Sequence, residues 1–345
     1  MSADRSTLAD PMTPPRPEAA RFDLAQNAWV LSRYPDVWAA LREPRLWPVS
    51  GKREIQPEAR EDDGRLKQRA AMLEALSASR LEEWRPRLEA LTHSALDRLP
   101  TDRAVDLFGE FTLPWGLAMP VTGADAADSR HLADLGGRVF AATGKSGDAA
   151  LRADAAAATA ELERIFETGP IPMGEPAFVA LSQTLPRLLA NAWLALVRHP
   201  TEFAHLRAHP ELMPGAIEEL LRYAGIVRRV FRRATATVDL GGVRIAEGEL
   251  AVLMLASANR DPAQFPDPDR LLLARPVTSH VALGTGRNSC VGAMLIRLAA
   301  SGATGALAAK FAEVSFGSVG EWRVPSGRGS GFCFPASVYV TLRCS

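Results

Sequence analysis

Apolar residues in the first part of the chain recur at helical spacing. "SASRLEEWRPRLEALTHSALDRL" and "AALRADAAAATAELERIFE" place them three or four positions apart with charged residues between, which predicts helices with one solvated face. "AFVALSQTLPRLLANAWLALVRHP" is apolar nearly all round, which is typical of a helix buried through the middle of a domain. Its proline, Pro186, should kink that helix because proline has no backbone N–H.

Short β-type runs follow the helices. In "RRATATVDLGGVRIAEGELAVLMLA" the turns at Gly241–Gly242 and Glu247–Gly248 separate strands, and "WRVPSGRGSGFCFPASVYVTLR" has the pattern of another hairpin. No internal repeat or convincing linker divides the chain. The predicted fold class is mainly α with small β-sheets (α+β), in one large domain over residues 21–345. The polar, proline-rich residues 1–20 are predicted to be a disordered tail.

Composition and charge narrow the function classes. The chain has 345 residues, 47% hydrophobic and 23% charged, as expected for an ordinary globular protein with a large core. Its 40 basic residues balance 40 acidic ones, so the net charge favours neither a nucleic-acid partner nor a membrane surface. The first residues lack the apolar core of a signal peptide, and we therefore expect a cytoplasmic protein.

One cysteine has a setting that suggests chemistry. Cys290 lies in "HVALGTGRNSCVGAMLIRLAA", between glycines and just before an amphipathic run. Gly284 and Gly286 would let the backbone approach a flat cofactor, and a helix predicted over about Val291 to Phe311 would stabilise a thiolate at its start. This arrangement suits a thiolate ligand to heme iron. On this segment alone, a buried structural cysteine is the alternative.

The stretch resembles the heme-binding loop of cytochrome P450 enzymes, usually Phe-Gly-x-Gly-x-His/Arg-x-Cys-x-Gly. Gly284, Gly286, Cys290 and Gly292 match it in register. Leu283 replaces the aromatic residue, and Asn288 replaces the basic residue that normally helps to hold a heme propionate. The resemblance implies a cytochrome P450 fold with heme b between a central helix and the helix after the cysteine, and Cys290 as the iron ligand.

Other segments extend the resemblance from about Phe22 to Leu342. "EELLRY" is similar to the family's Glu-x-x-Arg signature, with Arg270 as the first choice and Arg275 as the second for the third member of that network. Arg232 is similar to the strand arginine that binds a propionate, and "RLKQRAAMLEALSASRLEEWRPRL" is similar to a helix that contributes two more heme contacts. The resemblance therefore implies that Glu219 and Arg222 belong to the structural network. It implies that Arg232, Arg65 and Arg69 contact the heme.

The oxygen-activation motif departs from the family pattern. Aligned on "LANAWLALVRHP", the motif falls on "ALSQT", residues 180–184. The resemblance implies that Thr184 is the catalytic alcohol, but Gln183 takes the place of the acid, and an amide does not titrate near neutral pH. Leu181 takes the place of the glycine that leaves room for dioxygen. Because Pro186 removes the N–H that would reach Ser182, we expect the helix to open beside Thr184.

The chain is short where the family usually covers its substrate pocket, between Trp47 and Arg65 and between Phe166 and Ala177. The candidate pocket walls are Leu181, Ile226, Val227 and Phe332. The resemblance favours a monooxygenase for a small, mostly apolar substrate, with electrons from a ferredoxin and its ferredoxin reductase. A peroxide-dependent or redox-neutral heme-thiolate enzyme and a non-catalytic heme-binding protein are the alternatives.

Overall fold

Helices form most of the computed structural model, which describes residues 10–49, 63–118, 129–143, 148–167, 174–276, 279–324 and 331–344. The α-helices of these ranges are α1 Tyr34–Arg42, α2 Asp63–Ala75, α3 Ala78–Asp97, α4 Leu113–Leu117, α5 Ser129–Ala142, α6 Ala149–Glu167, α7 Gly174–Val179, α8 Leu185–Arg198, α9 Pro200–Ala208, α10 Met213–Ala224, α11 Leu255–Ala258 and α12 Ala293–Lys310. Two π-helical segments, Leu107–Thr112 and Ala180–Thr184, precede α4 and α8. None of these helices combines the length and apolarity needed to cross a bilayer.

The central helix runs from α7 through the π-helical segment Ala180–Thr184 into α8. Its α8 part is buried at nearly every position, as its continuous apolar sequence predicts. At the junction, the Leu185 N–H donates to the Ala180 carbonyl, one residue further back than in an α-helix. The opening expected beside Thr184 is therefore present, immediately before Pro186.

Strands surround the helical core in small sheets. They are β1 Arg21–Asp23, β2 Ala28–Leu31, β3 Leu46–Pro48, β4 Val105–Asp106, β5 Val230–Ala234, β6 Val238–Leu240, β7 Val243–Ile245, β8 Leu250–Leu253, β9 Phe311–Val319, β10 Trp322–Arg323, β11 Phe334–Pro335 and β12 Val338–Cys344. The described strands form a five-stranded sheet in the order β1-β2-β8-β5-β3, a three-stranded sheet β4-β12-β9, and the pairs β6-β7 and β10-β11. The predicted α+β fold class is confirmed.

The predicted turns lie between the strands that they were expected to separate. Gly241 and Gly242 connect β6 to β7 with φ values of +62° and +79°, and Gly248 has φ +84° before β8. These are left-handed conformations, which glycine adopts at no steric cost. In the tail, β10 pairs with β11 in an antiparallel register, as the hairpin pattern predicts.

Part of the N-terminal segment packs on the core. Met12 is only 4% exposed and belongs to the main hydrophobic cluster, and the buried Arg228 donates hydrogen bonds to the carbonyl oxygens of Pro11 and Met12. Glu18 N–H donates to Ser32 Oγ. The expectation of a disordered tail is therefore wrong for residues 10–20, because one apolar side chain and a buried guanidinium hold them. Residues 1–9 lie outside the described residues.

Candidate active site

The Cys290 loop is built by glycines and ends at α12. Gly284 and Gly286 have φ values of +68° and +72°, so the two glycines that the motif requires do occupy left-handed conformations. The Cys290 N–H donates to the Leu283 carbonyl at 2.8 Å, which closes the loop. Helix α12 begins at Ala293, within the predicted span. The loop therefore presents an accessible thiol directly before a helix N-terminus.

Several opposing effects act on the Cys290 thiol. Desolvation by the surrounding protein raises the pKa of the thiol above its ordinary value, although its surface is accessible. The Gly292 N–H and the positive charges of Arg69 and Arg297 lower the pKa, but desolvation dominates. The helix start alone therefore does not generate a thiolate in this loop. A metal cation, which requires the deprotonated ligand, would have to supply the remaining stabilisation.

Arg232 is a buried cation on β5. Its side chain donates to the Phe231 carbonyl, while its buried Nε has no hydrogen-bond partner among the described residues. Burial lowers the pKa of Arg232 to about 10, so the guanidinium is still charged at neutral pH. An orphaned, buried guanidinium donor fits an anionic group such as a heme propionate.

Arg69 lies beside the cysteine loop, as expected of a heme contact. Its guanidinium donates to Ser289 Oγ at 3.2 Å. The roles of Arg69, Leu283 and Asn288 toward the cofactor remain predictions, and the side chain of Arg65 lies outside the described residues.

The Glu219–Arg222 pair forms the predicted buried network, but its third side chain is Arg275. Arg222 makes a bidentate pair with Glu219, at 2.7 and 2.8 Å, and both side chains are 2% exposed. Arg275 Nε lies 3.1 Å from each Glu219 carboxylate oxygen. The choice of Arg270 is wrong, because its side chain is 69% exposed and only its carbonyl oxygen joins the network, as an acceptor for Arg222 and Arg275.

The central helix has one accessible face. Over residues 177–197 the residues that are not buried are Ala180, Thr184 and Arg187. Their spacing of four and three residues places them on one side of the helix. Leu181, Ser182 and Gln183 are buried beside them. The helix therefore presents Thr184 to an accessible space while its remaining surface is packed into the core.

Gln183 is hydrogen-bonded to a cation that the sequence reasoning missed. Arg187 donates to the Gln183 carbonyl at 2.7 Å and to Gln183 Oε1 at 2.9 Å. A Cβ atom at Gly136 of α5 would lie 3.2 Å from both Gln183 Nε2 and Ser182 Oγ, so α5 packs closely against this turn. The sequence did contain a signal for this contact, because Arg187 lies one helical turn after Gln183 in an otherwise apolar run.

The chain brings three of the predicted pocket residues together. Val227 and Phe332 form an antiparallel β-bridge, and the Cys333 N–H donates to the Ile226 carbonyl at 2.8 Å. Ile226 and Leu181 belong to one core cluster, against which Val227 and Phe332 pack. A role in binding substrate stays a prediction for all four.

Comparisons with known proteins agree with this geometry. A sequence model described as Cytochrome P450 matches residues 199–308, which include the Glu219–Arg222 network and the cysteine loop. Cytochrome P450 107B1 of Saccharopolyspora erythraea is 32% identical to this chain over 335 residues. The match covers 84% of this chain and 83% of the relative. The chain belongs to the cytochrome P450 family. Vitamin D(3) 25-hydroxylase of Pseudonocardia autotrophica, another P450 relative, is 30% identical and covers 83% and 81% of the two chains.

Solved cytochrome P450 structures share the fold. P450BioI, in complex with an acyl carrier protein ligated to hexadec-9Z-enoic acid, superposes with a TM-score of 0.82 at 21% identity and covers 92% of each chain. CYP109B1 from Bacillus subtilis also has a TM-score of 0.82, at 24% identity over 94% and 95% of the two chains. Family membership identifies the protein as a heme-dependent oxidoreductase. The Cys290 thiol and the orphaned Arg232 guanidinium fit that cofactor.

Replacing Arg232 should weaken retention of the cofactor. A charge-assisted hydrogen bond contributes about 1.5–3 kcal/mol, so we expect Arg232→Ala to lose heme about tenfold or more faster. The measurement is heme transfer to excess apomyoglobin. Arg233→Ala is the matched control, since Arg233 is the next residue of β5 and donates to the Gly248 carbonyl near the surface. Equal transfer rates for the two variants would contradict a role of Arg232 toward a propionate.

Proposed function

We propose that this protein is a heme b monooxygenase that inserts oxygen from dioxygen into a small, mostly apolar substrate, with electrons from a ferredoxin and its reductase. The observation that carries the proposal is the accessible Ala180–Thr184–Arg187 face of a buried helix, which presents Thr184 at a π-helical opening. Heme bound through Cys290 would supply the iron at which dioxygen is activated. The apolar residues Leu181, Ile226, Val227 and Phe332 would hold the substrate and exclude water.

In this proposal, Thr184 provides a hydroxyl that donates to or accepts from groups in the accessible space. Gln183 holds its side chain toward Arg187, so its amide oxygen is already an acceptor in a hydrogen bond. Neither group titrates near neutral pH, and protons must therefore reach Thr184 by way of solvent or of the substrate. Ser182 Oγ, a buried hydroxyl without a hydrogen-bond partner in the described residues, is available beside Gln183 to orient such a water.

The Gln183 amide also favours a second candidate, a heme-thiolate enzyme driven by hydrogen peroxide. Peroxide brings its own protons and electrons, so that reaction has less need of a titrating acid at position 183. The test compares product formed from one substrate with dioxygen, NADH, ferredoxin and ferredoxin reductase against product formed with peroxide alone. Turnover only with the reductase system supports the monooxygenase, and turnover only with peroxide refutes it.

Some of the basic residues around the cysteine loop could attract an acidic redox partner. Arg287 extends from the loop beside Trp47 and donates to the Pro44 carbonyl, and Lys67 is exposed on α2. Arg297, in contrast, forms a bidentate pair with Glu218 at 2.6 and 2.8 Å and contributes little net charge. We therefore propose that Lys67 and Arg287 form the cationic part of the ferredoxin surface. Such a surface is compatible with a cytoplasmic protein.

Restoring an acid at position 183 should have only a small effect while Arg187 is present. In Gln183→Glu the new carboxylate would lie within reach of the Arg187 guanidinium, which would hold it ionised and prevent proton relay. We expect product formed per NADH to change by less than about twofold, because a carboxylate paired with arginine has a depressed pKa. Gln183→Glu combined with Arg187→Asn should increase it more. A large gain in the single variant would contradict this role of Arg187.

A further inference from the structure

Two arginines meet beside the accessible face of the central helix. The Arg187 guanidinium lies 4.8, 4.4 and 5.1 Å from the ring centroids of Phe108, Phe140 and Phe334. Arg323, at the end of β10, lies over two of the same rings, at 5.5 Å from Phe140 and 5.8 Å from Phe334. The two cations therefore share one aromatic environment.

Nothing in the described part of the chain neutralises this pair. Among the described residues, no carboxylate lies within ion-pairing distance of either guanidinium. Arg323 instead donates to the Thr143 carbonyl, and Arg187 donates to Gln183. In the ranges that the structure describes, Arg187 Nε is buried without a hydrogen-bond partner. The stretches that follow Thr143 and Val324 in sequence, residues 144–147 and 325–330, contain no aspartate or glutamate.

Burial makes two like charges costly at this place. Burial, with a smaller contribution from the neighbouring Arg323, lowers the pKa of Arg187 to about 10, and burial also lowers the pKa of Arg323. Cation–π contacts offset part of that cost, but they do not satisfy the orphaned Nε donor. The amide at position 183 adds to the imbalance, since an acid there would pair with Arg187.

We propose that Arg187 and Arg323 bind a carboxylate of the substrate, which makes this enzyme selective for apolar acids. The proposal rests on the proposed function, because it names the substrate class of the same site. An anionic oxygen between the guanidiniums would accept from the free Arg187 donor and neutralise the paired charge. Gln183 keeps this site open, because it hydrogen-bonds Arg187 without cancelling its charge.

The proposed anion site lies close to Thr184, the proposed catalytic alcohol. Arg187 follows Thr184 by three residues on the same accessible face, which is about 4.5 Å along the helix axis. From the arginines, Phe140 contacts Phe332 at 5.3 Å between ring centroids, and Phe332 is paired with Val227. The apolar part of a bound acid would then pack against these side chains, with Thr184 one helical turn from Arg187.

The test uses the heme-loaded protein and three probes, octanoate, decanoate and dodecanoate, each compared with its methyl ester. Affinity is measured by isothermal titration calorimetry and by the change in the heme absorption spectrum on binding. We expect at least one acid to bind about tenfold or more tightly than its ester, because the ester lacks the charge that a buried guanidinium recognises. Similar affinities for every acid and ester, or no binding of any acid, would overturn the proposal.

Variants assign the preference to the two arginines. Arg323→Gln and Arg187→Gln should each reduce the acid-to-ester preference to below about threefold, since one guanidinium then loses its charge. Arg323→Gln is the decisive variant if Arg187→Gln does not fold. Arg343→Gln, at an arginine of β12 whose side chain is 81% exposed, is the matched control and should retain the preference. A preference that survives in Arg323→Gln would refute the assignment.

The outcome separates this proposal from the proposed function. The carbon-monoxide spectrum reports the thiolate-ligated heme, and calorimetry reports acid binding independently of that spectrum. Arginine-dependent acid binding without turnover would leave the anion site intact and refute the monooxygenase. Turnover of neutral substrates without acid preference would refute only the anion site.

Discussion

Cys290→Ser is expected to abolish the strongly red-shifted Soret band of the reduced, carbon-monoxide-bound protein. That band requires a thiolate ligand, and serine offers an alcohol with a pKa far above neutrality. Cys290 is the cysteine with the glycine loop and helix start around it, whereas Cys333 is buried and donates to the Pro11 carbonyl. The measurement is the reduced carbon-monoxide difference spectrum of the purified variant.

The fold should survive this substitution, because the Cys290 thiol is accessible and the loop is closed by its backbone N–H. Far-UV circular dichroism of Cys290→Ser should therefore match that of the unaltered protein. Cys344→Ser is the control, since Cys344 is exposed at the end of β12 and should retain the full spectrum. A red-shifted band that persists in Cys290→Ser would remove the basis for cysteine ligation at this loop.

Glu219→Gln should cause the largest loss of stability among the variants considered. Glu219 receives bidentate hydrogen bonds from Arg222 and one Nε–H of Arg275 shared between its two oxygens, and the side chains of Glu219 and Arg222 are 2% exposed. Removing the carboxylate charge leaves two guanidiniums without a counter-ion, and breaking a buried pair costs about 3–5 kcal/mol. Because total stabilities are about 5–15 kcal/mol, little of the holoprotein should remain folded under mild denaturation.

Urea unfolding of the heme-loaded protein, followed by circular dichroism and by Soret absorbance, measures this loss. Glu211→Gln is the control, since Glu211 is an exposed acid whose side chain pairs with the exposed His209. Surface substitutions of this kind change stability by about 0.5 kcal/mol or less. If Glu219→Gln is too unstable to purify, Arg275→Gln provides a milder loss, because Arg222 would still pair with Glu219. Midpoints for Glu219→Gln and Glu211→Gln that agree would contradict the structural role of the network.

Local sequence was sufficient for features whose causes are local. The glycine turns before β7 and β8, the loop glycines Gly284 and Gly286, and the helix after Cys290 all formed where their residues predicted them. The opening beside Thr184 was also predictable, because a missing N–H at Pro186 acts on the same helix. Each of these depends on backbone conformations that one or two neighbouring residues decide.

The errors arose where a choice depended on which side chains meet across the fold. Arg270 and Arg275 are both arginines near the end of the same loop, and only packing shows that Arg275 reaches Glu219 while Arg270 points to solvent. Composition suggested that residues 10–20 were disordered, but the buried cation Arg228 and the apolar pocket around Met12 supply long-range contacts that composition does not contain.

By itself, the sequence determined the fold class and the family, because these follow from apolar periodicity and from motif residues within a few positions of one another. The same motif makes Cys290 the predicted heme ligand. Only the tertiary structure decided that Arg187, one helical turn after Gln183, shares its aromatic surroundings with Arg323, 136 residues later in the chain. Burial and distance set the strength of a charge interaction, and neither quantity exists until α5, α8 and β11 pack together.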